Sequence, residues 1–398
     1  MSAAAEQPQP LETLYQQGQR ALQREALSEA IAIFERALGQ YPDTPLLYQA
    51  LGNALLQAER PTESMRCFAR AEALRTQAAN WPAVSLQEKH KLPGTQRLHK
   101  KLQHDCDYLR FLLQQPAAQR PANTLLETML HEGLQLDRQL SQIPLQALDL
   151  ALSQDLDDFF ERCALRFPLL PWRGPLIQMA DPQRCEAEFY DGPAQFVVLD
   201  DLLSAGALQQ IRHFALFNNG LWRNYAHGEN YICAYPQDGL IQPFIFRLAQ
   251  ALRSALPGIF KQHRLKKFWM YRYSSQRHQG VQLHADAGAV NVNLWLAPDQ
   301  ANKNAASGGL RLFDVEAPLF ENDADFHAFN HHPAQIQRYL IENKARAIDI
   351  PYRQNRLLIF NANLFHESLP YDFEADFASQ RMNLTLMFGQ RGQTGSGG

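Results

Sequence analysis

Two hydrophobic rhythms divide the chain. Up to about residue 190, apolar positions recur with helical spacing, as in "YQQGQRALQREALSEAIAIFERALGQYP" and "TQRLHKKLQHDCDYLRFLLQQ", and Pro-bearing segments such as "QQPAAQRPAN" interrupt them. From "AQFVVLDDLLSAGALQQIRHFA" onward the texture changes. Short alternating runs at 267–273, 290–297, 309–313, 346–350, 356–361 and 381–388 are bounded by Gly, Asn, Asp and Pro, which predicts an antiparallel barrel or sandwich. A helix is expected near 240–255. The insertion "ENDADFHAFNHHPAQIQRYLIENKA" (321–345) is expected to hold a helix of its own, and long insertions in compact β domains are often functional.

The helical part repeats itself. Gly18 matches Gly52, Phe34 matches Phe68 and Ala37 matches Ala71, each 34 residues apart, and Pro42 ends the first unit. Small residues where paired helices touch, an aromatic on the second helix and this period together resemble two tetratricopeptide repeats. A third repeat is not legible after about residue 78. The expected organisation is a flexible N-terminus (1–11), two repeats (12–78), a helical capping and linking region (79–190), a β domain (191–390) and a flexible Gly/Ser-rich tail (391–398).

Composition narrows the functional classes. With 398 residues, 45% hydrophobic and 20% charged, the chain can bury a substantial core over two or three domains. A net charge of -3 and no long basic run give no support to a nucleic-acid partner. The five cysteines (Cys67, Cys106, Cys163, Cys185, Cys233) are scattered without CxxC spacing, which suits a reducing compartment. The opening "MSAAAEQPQP" lacks the basic flank and apolar core of a secretion signal, and no segment approaches the roughly 18–20 apolar residues of a membrane span. A cytoplasmic protein is expected.

The candidate chemistry begins in "VQLHADAGAVNVNLWLAP" (281–298), which reads as strand yet carries His284 and Asp286 two residues apart. Alternate residues of a strand share a face. Such a pair forms a surface ion pair, a buried hydrogen-bonded pair or two ligands of a metal, and spacing does not choose among them. A second His-x-acid pair, His227 and Glu229, has no His and Arg at matching positions downstream and is set aside. Two His and one carboxylate on one face of an iron(II) ion would leave the opposite positions open. "QNRLLIFNANLFHESLP" supplies a third ligand, His366, beyond a turn that follows Phe360. In "SQRMNLTLMFG", Arg381, Asn383 and Thr385 alternate with Met382, Leu384 and Leu386, so Arg381 faces inward on a core strand and needs an anionic partner. The parity of "VNVNLWL" puts Asn291, Asn293 and Trp295 on one face, expected to line the pocket.

His284-x-Asp286, His366 and Arg381, with the Gly308-Gly309 turn of "SGGLRLF" and the Tyr-bearing "MYRYSSQRHQGVQLHAD", resemble the iron(II)/2-oxoglutarate dioxygenases of the prolyl 4-hydroxylase branch. The resemblance covers about residues 195–390. It implies an α+β multidomain protein: a tetratricopeptide-like region, then a double-stranded β-helix, or jelly roll, with flanking helices. It further implies iron(II) on His284, Asp286 and His366, 2-oxoglutarate and O2 as cosubstrates, and Arg381 on the far carboxylate. Tyr273, 11 residues before His284, and Asn383, which stands where many relatives place Ser or Thr, are its expected neighbours. The implied reaction is hydroxylation of a protein or peptide recruited by the repeats, against the alternatives of a small-metabolite oxygenase or a catalytically silent scaffold. His327, His331 and His332 are expected as solvated histidines and Cys233 as packing, while Tyr271 fits a core aromatic and a ligand equally well and Tyr273, nearer the His-x-Asp pair, is preferred as the ligand.

Overall fold

The computed structural model describes residues 9–77, 95–143, 150–225, 231–273, 280–320 and 323–391. Helices α1 (Leu11–Gln23) and α2 (Leu27–Gln40) form one packed pair, and α3 (Pro45–Gln57) and α4 (Pro61–Gln77) a second. A Cβ at Gly18 would stand 2.4 Å from the Phe34 ring, and one at Gly52 would stand 2.7 Å from Phe68. The glycines found by the sequence offset are therefore the points where each helix pair closes. Leu14, Phe34, Leu47 and Ala54 share one core here. Leu56 and Phe68 instead join the larger core built by α5 (Thr95–Leu113), α6 (Asn123–Gln142) and α7 (Leu150–Cys163). The second pair also packs on the later part of the chain, α3 against the strand Leu265–Tyr273 and α4 against the Pro236–Asp238 turn and the helix Pro243–Ala255. Residue 78 of the expected repeats and the first part of the expected capping region, 79–94, lie outside the described residues.

The β part then runs α8 (Pro182–Asp191), β1 (Phe196–Leu199), α9 (Ala205–Phe217), β2 (Tyr231–Ala234), α10 (Pro243–Ala255), α11 (Pro257–Phe260), β3 (Leu265–Tyr273), β4 (Val290–Trp295) and β5 (Leu310–Glu316). It continues with α12 (Asp323–Asn330), α13 (Pro333–Glu342), β6 (Ala347–Ile350), β7 (Leu357–Asn361), β8 (Leu364–Ser368) and β9 (Met382–Phe388). The strands form two antiparallel sheets, ordered β1-β7-β4-β9-β3-β2 and β6-β5-β8. Met382, Leu384 and Leu386 of β9 and Val290, Val292 and Leu294 of β4 share one core with Ile211, Phe214, Ile245 and Leu248 of α9 and α10. Burying each such side chain is worth about 1.5–3 kcal/mol. Helices therefore seal the outer face of the large sheet, and its polar inner face is left for the site.

Three differences from the expected elements matter. The alternating runs omit β1, β2 and β8, the last of which carries His366 just beyond the turn that follows β7. The insertion holds two helices, not one. Residues 281–289 are not a regular strand, because the segment crosses between the sheets. His284 pairs with His366 of the small sheet in an isolated bridge, with N–H to O distances of 3.0 and 2.8 Å. Five residues later Ala289 donates to Phe388 of the large sheet. No helix among the described residues is long and apolar enough to cross a membrane. His227, Glu229 and the tail from 392 lie outside the described residues.

Candidate metal centre and its cavity

The bridge between His284 and His366 brings the two imidazoles to 4.3 Å between ring centroids. His284 Nε2 lies 3.7 Å from Asp286 Oδ1, and His366 Nε2 lies 3.6 Å from Asp286 Oδ2. One ligand atom from each of the three residues falls within 4.8 Å of the others. Each ring donates its Nδ1–H to a backbone carbonyl two residues earlier, His284 to Gln282 at 2.7 Å and His366 to Leu364 at 3.0 Å. A carbonyl only accepts, so in the neutral form of each ring Nε2 is the atom that carries the lone pair toward the shared point. Burial, with His284 alongside, pushes the His366 imidazolium down to about 4, so the ring is neutral at neutral pH. Two lone pairs and a carboxylate converging without a hydrogen between them fit a divalent cation, and a donor set of two imidazoles and one carboxylate suits iron(II).

A chain of amides holds the carboxylate. Asn291 Nδ2 donates to Asp286 Oδ2, and Asn293 Nδ2 donates to Asn291 Oδ1 at 2.8 Å. Asn293 Oδ1 in turn accepts from Asn383 Nδ2 and from Thr385 Oγ1, both at 3.1 Å. Asn291 and Asn293 line the cavity as expected from parity, but Asn291 serves Asp286 directly. Trp295, expected beside them, is not among the lining residues: it stacks on Tyr352 with ring centroids 5.4 Å apart.

The cavity encloses about 690 Å³ between the sheets and takes in His284, Asp286, His366 and Arg381 together. Arg381 is buried. Its Nε donates to the Gly308 carbonyl at 2.6 Å and its Nη2 to the Gly309 carbonyl at 3.3 Å, while Nη1 is buried with no partner among the described residues. A Cβ at Gly309 would lie 1.9 Å from the Ile350 carbonyl oxygen, and Gly308 has φ +81°. The paired glycines thus allow the turn whose carbonyls aim the guanidinium. Tyr273 lies beneath it, with the guanidinium carbon 4.2 Å from the ring centroid. Beside Arg381, the Asn383 Oδ1 is also buried without a partner. The unmet charged donor fits the carboxylate end of a small acid, whereas the unmet Asn383 oxygen calls for a hydrogen-bond donor.

Outward from Tyr273, β3 presents Tyr271, Trp269 and Lys267 to the cavity, joined by Tyr231 and Tyr235. Tyr231 stacks on Tyr271 at 4.3 Å. Burial pushes the hydroxyls of Tyr231, Tyr235 and Tyr271 up, so the wall is neutral and able to donate. Tyr271, which the sequence left open between core and site, lines the cavity. The alternation of Lys267, Trp269, Tyr271 and Tyr273 was visible in the sequence; Tyr231 and Tyr235, on another strand and turn, had no such signal. His327 and His331 reach the cavity from the insertion, whereas His332 does not line it. Cys233 is buried in the inner core, where burial pushes its thiol up and away from nucleophilic use.

No protein-family model matches the chain, and no curated protein matches it in sequence. Among solved structures it is similar to the non-heme alpha-ketoglutarate-dependent epimerase SnoN from nogalamycin biosynthesis, at 15% identity over 52% of this chain and 83% of that one, TM-score 0.38. It is similar to the carbocyclase SnoK, also from nogalamycin biosynthesis, at 12% identity over 55% and 88%, TM-score 0.38. HygX from Streptomyces hygroscopicus, with nickel and 2-oxoglutarate bound, aligns at 14% identity over 55% and 89%, TM-score 0.36.

Proposed function

We propose that this protein is an iron(II)- and 2-oxoglutarate-dependent oxygenase on a double-stranded β-helix, with a tetratricopeptide-like arm that presents a protein or peptide substrate for hydroxylation. The observation that carries this reading is the union, in one cavity, of the His284, Asp286 and His366 donor set with the buried, unpartnered Nη1 of Arg381. Bound iron(II) would supply the oxidation, with O2 and 2-oxoglutarate consumed and succinate and CO2 released. His284 and His366 hold the ion through Nε2, and the amide chain from Asn291 keeps Asp286 turned toward it. Arg381 binds the distal carboxylate through Nη1, its other nitrogens already committed to Gly308 and Gly309. The aromatic wall from Tyr273 to Trp269 excludes water and bounds the substrate.

The arm supports a macromolecular substrate by its position. Helix α3 packs against β3, and α4 packs against the Pro236–Asp238 turn that follows Tyr235, so the repeats border the aromatic wall. A chain lying on the arm would reach the mouth of the cavity. A small metabolite would need no such neighbour, and a silent scaffold would need no complete ligand set. The test is succinate release from 2-oxoglutarate with iron(II), measured with and without added cell-extract protein. Stimulation by protein, lost in His366→Ala, is expected. Succinate release that is identical in wild type and His366→Ala would sink the reading.

A further inference from the structure

Resting on the metal-centre reading, we infer that the α12–α13 insertion is a brace for that centre, and that Asn330 is its positioning residue. Among the described residues, the segment carrying His284 and Asp286 has a strand neighbour on only one edge. His284 exchanges both backbone hydrogen bonds with His366, and Asp286 N–H donates to the Ala362 carbonyl at 2.9 Å. In an antiparallel arrangement the residue between them, Ala285, turns its N–H and C=O to the opposite edge. Asn330, the last residue of α12, meets both: Ala285 N–H donates to Asn330 Oδ1 at 3.1 Å, and Asn330 Nδ2 donates to the Ala285 carbonyl at 2.7 Å. One side-chain amide thus replaces a missing strand at the residue between the two ligands.

Packing agrees with the hydrogen bonds. Ala285 and Phe365, the chain neighbours of His284, Asp286 and His366, share a small core with Phe326 of α12 and with Ile336 and Leu340 of α13. Leu283 and Ala287 pack on the same core. Alternate residues therefore pack differently: the ligand side chains converge on one another, while their neighbours pack on the insertion at the border of the same cavity. Phe326 and Ile336 are almost wholly buried, so the insertion is a fixed second layer behind the ligands. Without the Asn330 amide, Ala285 would keep two unmet backbone groups at a bent, irregular segment, and the angle between the His284 and Asp286 side chains would loosen.

The experiment measures metal binding in the full chain, independent of turnover. Mn(II) affinity is followed by electron paramagnetic resonance, and the d–d absorption bands of the Co(II)-loaded protein report ligand geometry. Wild type should take up one ion and His366→Ala should not. Asn330→Ala should weaken Mn(II) binding by about tenfold or more, the scale seen when groups supporting a ligand are lost. Its Co(II) bands should shift, and the Ala285 amide should exchange faster with deuterium. Asn330→Asp, which still accepts from Ala285 N–H but no longer donates to its carbonyl, should also weaken binding; it guards against misfolding of the alanine variant, with circular dichroism as the check. If folded Asn330→Ala and Asn330→Asp bind Mn(II) like wild type with unchanged Co(II) bands, the brace is overturned while the metal centre stands. If wild type itself binds neither ion, the metal-centre reading falls, and the brace with it.

Discussion

Glu25 and Glu59 occupy equivalent turns of the two helix pairs, share the left-handed backbone at φ 58° and 59°, and each pairs with cations of the β part. Glu25 meets Lys266; Glu59 meets Arg253, with Arg264 Nε at 3.9 Å. A non-glycine residue in that backbone region is strained. The strain recurs at the repeat period, where both carboxylates reach the same neighbouring surface. Replacing both by Gln should lower stability at low ionic strength by up to about 1 kcal/mol per pair, the range for exposed ion pairs. Denaturant melts at low and high salt check this: the deficit should shrink in about 1 M NaCl, where the screening length falls to about 3 Å. A deficit that ignores salt would assign the glutamates another role.

Arg381→Ala should cost 2-oxoglutarate binding by at least a hundredfold. Removing one partner of a buried charged pair costs about 3–5 kcal/mol, and each 1.4 kcal/mol is roughly tenfold. Arg381→Lys should recover little, because an ammonium cannot serve Gly308, Gly309 and a ligand from one planar fork. Calorimetric titration of 2-oxoglutarate into the Mn(II)-loaded protein measures both; normal binding by either variant refutes the role.

Gly309→Ala should destabilise the small sheet and displace Arg381. The added carbon would sit 1.9 Å from the Ile350 carbonyl oxygen, a backbone atom that cannot swing aside. A loss of about 1–3 kcal/mol or more in a denaturant melt is expected, as for other overpacked sites. Unchanged stability and unchanged oxoglutarate affinity together would show that the turn is plastic.

Asp200 predicts a pH dependence. Hydrogen bonds from Arg356, then the charges of Arg356 and Arg353, hold its carboxyl below the ordinary 3.8. A depressed carboxyl contributes stability above its unfolded value and loses it as pH falls through the folded one. Thermal midpoints of wild type and Asp200→Asn should therefore differ near neutral pH and converge as the pH drops below about 3.8. A gap that persists in acid would place the effect elsewhere.

Much of this molecule was already legible along the chain, because the relevant physics is local. Helix period and the 34-residue offset located Gly18, Gly52, Phe34 and Phe68, since a helix pair closes wherever a small residue faces a ring. Strand parity put Arg381, Asn383 and Thr385 on one face and Met382, Leu384 and Leu386 on the other. What parity lacks is any record of which segment lies beside which. That is why 281–289 read as strand although it bends between two sheets, and why Trp295 seemed to share a cavity that Asn293 reaches and it does not. The hold of Asn291 on Asp286, the tyrosines contributed by β2 and the turn after it, and the grip of Asn330 on Ala285 all join residues whose meeting depends on sheet register and helix placement. Those are set by the packing of the whole core, and only the tertiary structure decided them.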